Sequence, residues 1–207
     1  MGTARAAGTA ARILDIAERL VQSRGYNAFS YADVAHAVGI RKASLHYHFA
    51  TKADLGQALV ARYRRAFLEA LRGIEAREAA APGRLRDYVA LYGAVLRRKR
   101  MCMCGMLATD AATLPRAMRE SVSEFFDENV SWLARVLEQG RKRHELLFPG
   151  AASERAAFFV STLEGAMLVA HGSGNHEYFE SASRQLLATV GPGRSKSRRY
   201  GARRPAR

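Results

Sequence analysis

The amino-acid sequence predicts an all-α fold in two parts: an N-terminal three-helix head containing a helix-turn-helix, and a larger helical C-terminal body. Apolar residues recur at three- and four-residue steps along almost all of the 207 residues, the spacing that puts side chains on one face of a helix. No segment alternates apolar and polar residues with the period of two that a half-buried strand needs. Glycines and capping residues cut the first fifty residues into short segments, whereas the segments beyond are long.

Each element has its own signature. Over Ala10–Arg24, Ile13, Ile16, Ala17, Leu20 and Val21 form an apolar stripe, with Arg12, Arg19 and Arg24 off it, and Gly25 is placed to end the helix in the left-handed conformation. Ser30 is an N-cap candidate with Asp33 three residues on, near the positive end of the helix dipole, and this second helix runs to Val38 before Gly39. Arg41–Phe49 fits a short third helix with Ile40 and Leu45 inward. Thr51 caps a fourth, running to about Glu78, with Leu55, Leu59, Tyr63 and Phe67 at four-residue steps. Ala79–Gly83, with Pro82, marks a boundary. Helical stretches follow at Arg84–Arg98, Gly105–Asp110, Pro115–Lys142, Ser153–His171 and His176–Val190, with Pro115 suited to a first turn. The expected organisation is a head over 1–51, a body over 52–190 whose first helix connects the two, and a basic tail over 191–207 too poor in apolar surface to fold.

The formal net charge of +14 is unevenly spread. Residues 1–65 hold 10 Lys/Arg against 4 Asp/Glu, residues 66–190 hold 16 against 15, and residues 191–207 hold 7 against none. A near-neutral body between basic ends suits a double-stranded DNA partner, because phosphate contacts and counterion release drive affinity. A basic surface kept for solubility gives the same total. No apolar run of about 18 to 20 residues could span a bilayer, so no membrane partner is expected. Met1–Ala11 lacks the apolar centre and cleavage site of a secretory signal, and one Cys-x-Cys pair makes no disulfide framework. The expected setting is cytoplasmic, with reduced thiols.

The most specific feature is the run from Phe29 to Leu55. Val34, Ala35, Val38, Ile40 and Leu45 supply the apolar contacts that hold two short helices across a glycine-containing turn, with Ala35 small where the helices approach. That leaves Arg41, Lys42, Ser44, His46, Tyr47 and His48 pointing outward, donors and aromatics suited to phosphates and base edges. The segments Ala35-His-Ala-Val-Gly39, Leu45-His-Tyr-His-Phe49 and Lys52-Ala-Asp-Leu55 resemble the tetracycline-repressor (TetR) family of regulators, over about Ile13–Leu59. The resemblance implies a sequence-specific DNA-binding regulator that is not an enzyme, needs no cofactor, and is a ligand-releasable repressor of a pseudo-palindromic operator. By position it implies Ser30 and Tyr31 at a phosphate, Arg41, Lys42, Ala43 and Ser44 opening the recognition helix in the major groove, and His46, Tyr47 and His48 flanking it. Lys52 would hold the DNA backbone. Two positions depart from the family pattern: Arg41 replaces a common Ser or Thr, and His46 replaces the first aromatic. Arg41 suits a bidentate contact to guanine.

For the body, the resemblance implies a helical domain that binds a small apolar or electrophilic inducer and pairs as a homodimer through its last two helices. Phe158, Phe159, Leu163, Met167 and Ala170, then Tyr178, Phe179, Ala182, Leu186 and Val190, supply apolar surface for that pairing or for an intrachain core, and Gly165 and Ala166 permit close approach. The expected pocket lining is Tyr88, Tyr92, Val95, Met103, Met106, Leu107, Phe125 and Trp132, each of which also reads as core. Cys102 and Cys104 follow the cationic run Arg97–Arg100 at a helix start, two features that lower a thiol pKa, and the segment looks like one in a branch of the family that represses electrophile and acrylate detoxification genes. Packed, inert cysteines are the alternative. No second Cys/His cluster completes a zinc site, so no metal is expected. Two rival readings are a non-specific nucleoid-type DNA binder, which would be steeply salt-dependent and blind to sequence, and a cysteine enzyme with His144, His171 or His176 as base.

Overall fold

The computed structural model describes residues 2–192, with side chains from Ala7 onward. Among these residues the elements are α1 (Gly2–Arg24), α2 (Tyr31–Val38), α3 (Lys42–His48), α4 (Lys52–Arg77), α5 (Ala81–Arg97), α6 (Met103–Thr109), α7 (Arg116–Lys142), β1 (Leu146–Leu147), α8 (Ala152–Ser173), α9 (Glu177–Ala188) and β2 (Gly191–Pro192). The all-α expectation holds, and no described helix is long and apolar enough to cross a membrane.

The head forms where its punctuation requires. Gly25 and Gly39 take φ of +89° and +77°, a region L side chains avoid, and the Gly39 N–H closes α2 onto the Ala35 and His36 carbonyls. Ser30 and Thr51 each exchange hydrogen bonds with the acid three residues on, Asp33 and Asp54, satisfying donors that a helix start leaves open. Ile13, Ala17, Val21, Val34, Leu45 and Leu55 are fully buried between these helices. Each buried leucine or isoleucine contributes about 1.5–3 kcal/mol of apolar transfer.

In the body, α8 packs against both α7 and α9, and α5 lies against α7, α8 and α9. Arg64 on α4 pairs with Glu124 and Glu128 on α7, joining the connecting helix to the body. Several sequence expectations change here. Helix α5 begins inside the expected boundary, because Pro82 and Gly83 fit its first turn and the Ala81 N–H donates to Glu145 Oε2 at 2.7 Å. Pro115 caps α7 from one residue outside. A two-residue antiparallel ladder, Leu146 opposite Pro192 and Leu147 opposite Gly191, is too short to leave a period-two pattern. It uses the first two residues of the segment read as tail; residues 193–207 lie outside the described residues. Phe159, Leu163, Met167 and Ala170, together with Phe179, Leu186 and Val190, are buried within this one chain, since that helical face packs inward. Phe158, Leu168 and Val169 on α8 and Tyr178 on α9 remain exposed.

Candidate nucleic-acid interface and sensing core

On the head, α3 presents Arg41, Lys42, Ala43 and Tyr47 to solvent, with Tyr47 82% exposed, while Ser44 and His48 are half-buried. An aromatic this open on a short helix makes little packing contribution and is free to meet a partner. His46 is exposed, but its Nδ1 lies 2.9 Å from the Ala50 carbonyl and its ring packs on Tyr31 at 4.8 Å. Ser30 spends its hydroxyl on the α2 cap. Two residues expected at DNA phosphates make hydrogen bonds inside the head. Tyr31 is buried and donates its hydroxyl to the Phe49 carbonyl at 2.9 Å, and burial, then the nearby Asp54 and Tyr26, push its pKa up to about 12. Lys52 donates to the Phe29 carbonyl at 2.6 Å and lies 4.5 Å from the centroids of the Tyr26 and Phe29 rings. Desolvation pulls its pKa down, with Asp110 and Asp33 opposing.

The Cys102/Cys104 segment joins body to head. The Met101 N–H donates to the Gln22 carbonyl at the end of α1 at 3.0 Å, and Asp110, at the end of α6, accepts the Tyr26 N–H at 2.9 Å. The contacts bracket α6. Asn27 adds a bond to Thr113 at 2.7 Å.

Behind α6 lies an aromatic and polar cluster. Tyr88 stacks on Trp132 at 5.6 Å, its hydroxyl donates to Asn129 Oδ1 at 3.0 Å and lies 3.1 Å from the Tyr92 hydroxyl, and Asn129 Nδ2 donates to the Phe125 carbonyl. Phe67 touches Tyr88, Tyr92 and Phe125 edge-on. Cys102, Cys104, Met103 and Leu107 are buried against this cluster, and Met106 is half-buried towards Gly25. The Tyr63 hydroxyl donates to Cys102 Sγ at 3.6 Å.

The lowered thiol pKa expected from the cationic run is not realised. Burial and then Glu164 push both thiols well above their usual value, because Arg97, Arg98 and Lys99 turn to solvent. Glu164 on α8 is the residue sequence reasoning missed. Its carboxylate oxygens are buried with no hydrogen-bond partner of ordinary geometry, and burial pushes its pKa up to about 7, with the nearby Cys102 thiol opposing. The available signal was a lone charge between Leu163 and Met167, on the helical face that is otherwise apolar.

Of the expected pocket residues, only Val95 lines an open groove of about 570 Å³ between α1, α4 and α5. Tyr63, Phe67, Leu91 and Val95 form its apolar wall, and Arg62, held by Asp15 and Glu18 at 2.7 Å each, stands at its edge. The remaining expected lining is the closed cluster described above. Tyr63 belongs to both.

Comparison with known proteins agrees with this architecture. The family described as bacterial regulatory proteins, tetR family, matches residues 13–59, and the LmrA/YxaF-like transcriptional regulator C-terminal domain matches residues 88–185. A TetR-family regulator from Agrobacterium tumefaciens is 33% identical, with a TM-score of 0.86 over 89% of this chain and 98% of its own. A TetR regulator from Legionella pneumophila is 30% identical, with a TM-score of 0.77 over 86% and 95%. The transcriptional repressor NemR of Escherichia coli is 24% identical over 181 residues, covering 84% of this chain and 89% of NemR, and its reduced form has the same fold with a TM-score of 0.78. With its helix-turn-helix and its helical body both matched, the chain belongs to the TetR family of DNA-binding transcriptional regulators.

Proposed function

We propose that this regulator represses transcription by binding a pseudo-palindromic operator as a homodimer, and that a small apolar or electrophilic inducer releases it by acting on the α6 segment. The observation that carries this reading is the pair of hydrogen bonds bracketing α6, Met101 to Gln22 and Tyr26 to Asp110, which fix the thiol segment to the head at both ends. Displacing α6 must strain or break them, and the head then moves relative to the body. Thermodynamically, the inducer shifts a two-state equilibrium by its preference for the displaced state.

Arg41, Lys42, Ala43 and Ser44 are the residues assigned to the major groove, with Tyr47 and His48 at its edge and Ser30 placing the N-terminus of α2 near a phosphate. Tyr31, His46 and Lys52 act by setting the position of α3, through the contacts they make inside the head. The homodimer forms through the exposed face of α8 and α9, where Phe158, Leu168, Val169 and Tyr178 are uncovered and a Cβ at Gly165 or Gly172 would meet nothing within 4 Å. Apolar residues flanking small ones let two copies approach closely.

Selection of bound fragments from genomic DNA tests the reading. The expected result is enrichment of a two-fold motif with half-sites about one helical turn apart or more, at a specificity of roughly 10³ over random DNA. Sequence-blind binding that falls steeply with salt would support the nucleoid-type alternative instead.

A further inference from the structure

We propose that Glu164 is the proton acceptor for Cys102, and that the two form a thiol–carboxylate pair that adds to neutral α,β-unsaturated carbonyl compounds. This deepens, and rests on, the reading of α6 as the sensing segment. Three features place the groups together. A Cβ on Gly105 would overlap the Glu164 carboxylate and lie 3.5 Å from Cys102 Cβ, so a glycine leaves room for the carboxylate beside Cys102. Neither Glu164 oxygen has a hydrogen-bond partner, and the Cys102 thiol is the neighbour that lowers its pKa. The Tyr63 hydroxyl donates to Cys102 Sγ, and Tyr63 is also part of the wall of the α1–α4–α5 groove, so the sulfur is one side chain removed from that open groove.

The chemistry follows from the surroundings. Cys102 is buried, and burial with the nearby Glu164 outweighs the Gly105 backbone N–H that favours its thiolate, so the proton must leave as the electrophile arrives. Facing Glu164 are Tyr63 from α4, Tyr88 and Tyr92 from α5, and Cys102 and Cys104 from α6, with Glu128 and Arg64 paired beyond Cys104. Burial holds the tyrosines and thiols protonated, which leaves Glu164 to change charge near neutral pH. In the addition, a Cys102 Sγ–C bond forms at the β carbon, the C=C π pair moves towards the carbonyl, and the thiol proton passes to Glu164. Glu164 then returns it to the α carbon. The S–H bond has been added across C=C, nothing leaves, and the carboxylate is regenerated. A ligand that is itself a carboxylate would meet ionised Glu164 and be repelled, so the pair selects neutral electrophiles.

The test is alkylation of the full chain by N-ethylmaleimide, a neutral α,β-unsaturated imide, followed by mass spectrometry from pH 5.5 to 8.5. Cys104→Ser is the common background, with operator binding measured on the same samples. The Cys102 rate should rise through about pH 7 and level off. Glu164→Gln should slow it at least tenfold and remove the step, and Glu164→Asp should restore part of it. Misfolding cannot imitate this result, because an exposed thiol reacts faster. An unchanged or faster Cys102 rate in Glu164→Gln, or no Cys102 adduct on the folded protein, overturns the inference. Glu164-dependent adduct formation that leaves operator binding intact overturns the functional reading alone, and equal rates in both proteins with operator release overturn the inference alone.

Discussion

Replacing Glu164 with Gln should make the protein less sensitive to alkaline pH, and the size of the effect follows from the carboxylate's burial. Its pKa rises from 4.5 to about 7 because the loss of water around the charge outweighs the opposing effect of the Cys102 thiol. For an acid raised in this way, the folded state holds its proton more tightly than the unfolded chain. The protonated form is therefore fully stable below about pH 4.5, stability is lost as pH climbs through the window up to about 7, and the penalty is constant above it. At about 1.4 kcal/mol per pKa unit, the penalty is of the order of 3 kcal/mol. Glutamine carries no such charge, though it brings an amide that must also be buried, so the informative quantity is the difference between the two proteins' pH profiles. Urea denaturation at fixed protein concentration, at pH 4.5, 6 and 8, measures it. The mutant should gain about 2–3 kcal/mol on the wild type between pH 4.5 and 8. Parallel profiles within about 0.5 kcal/mol would refute an isolated buried carboxylate at this position.

Other perturbations test separate parts of the account. Asp110→Ala removes the acceptor of the Tyr26 N–H and should cost about 1.5–3 kcal/mol in urea denaturation, Asp110→Asn less, because an amide oxygen still accepts; equal losses would mean the bond is not the cause. Arg41→Ala should relax operator preference at one base pair by about 1–3 kcal/mol in competition binding, whereas Lys42→Ala should weaken all sequences alike and reduce the salt slope by about one unit. Leu168→Asp should shift sedimentation from dimer to monomer without lowering helix content, because Leu168 is exposed in the single chain.

Most of the head was legible from local chemistry. Ser30 with Asp33, Thr51 with Asp54, and the glycines at 25 and 39 act within a few residues, so spacing alone identifies them. What local spacing did not reveal at Lys52 and Tyr31 is their bonding inside the head, because only tertiary packing brings the Phe29 and Phe49 carbonyls to their donors. The thiol pKa failed for the same reason. Neighbours in sequence, Arg97 to Lys99, point away, while Glu164, sixty residues along the chain, points in. Of the α8 residues read as surface for a dimer or an intrachain core, Phe159, Leu163, Met167 and Ala170 pack inside this chain and Phe158 stays exposed. Phe158 and Phe159 are adjacent, and periodicity cannot tell which of two apolar faces meets the chain's own core.

The central claim, that chemistry at α6 is felt by the DNA-reading head, is tested most directly by operator affinity before and after stoichiometric alkylation at Cys102. The account predicts at least a tenfold loss of affinity on alkylation of the Cys104→Ser protein and no loss for Cys102→Ser treated in the same way. Undiminished affinity of a fully alkylated protein, or equal loss in the protein lacking Cys102, would contradict it.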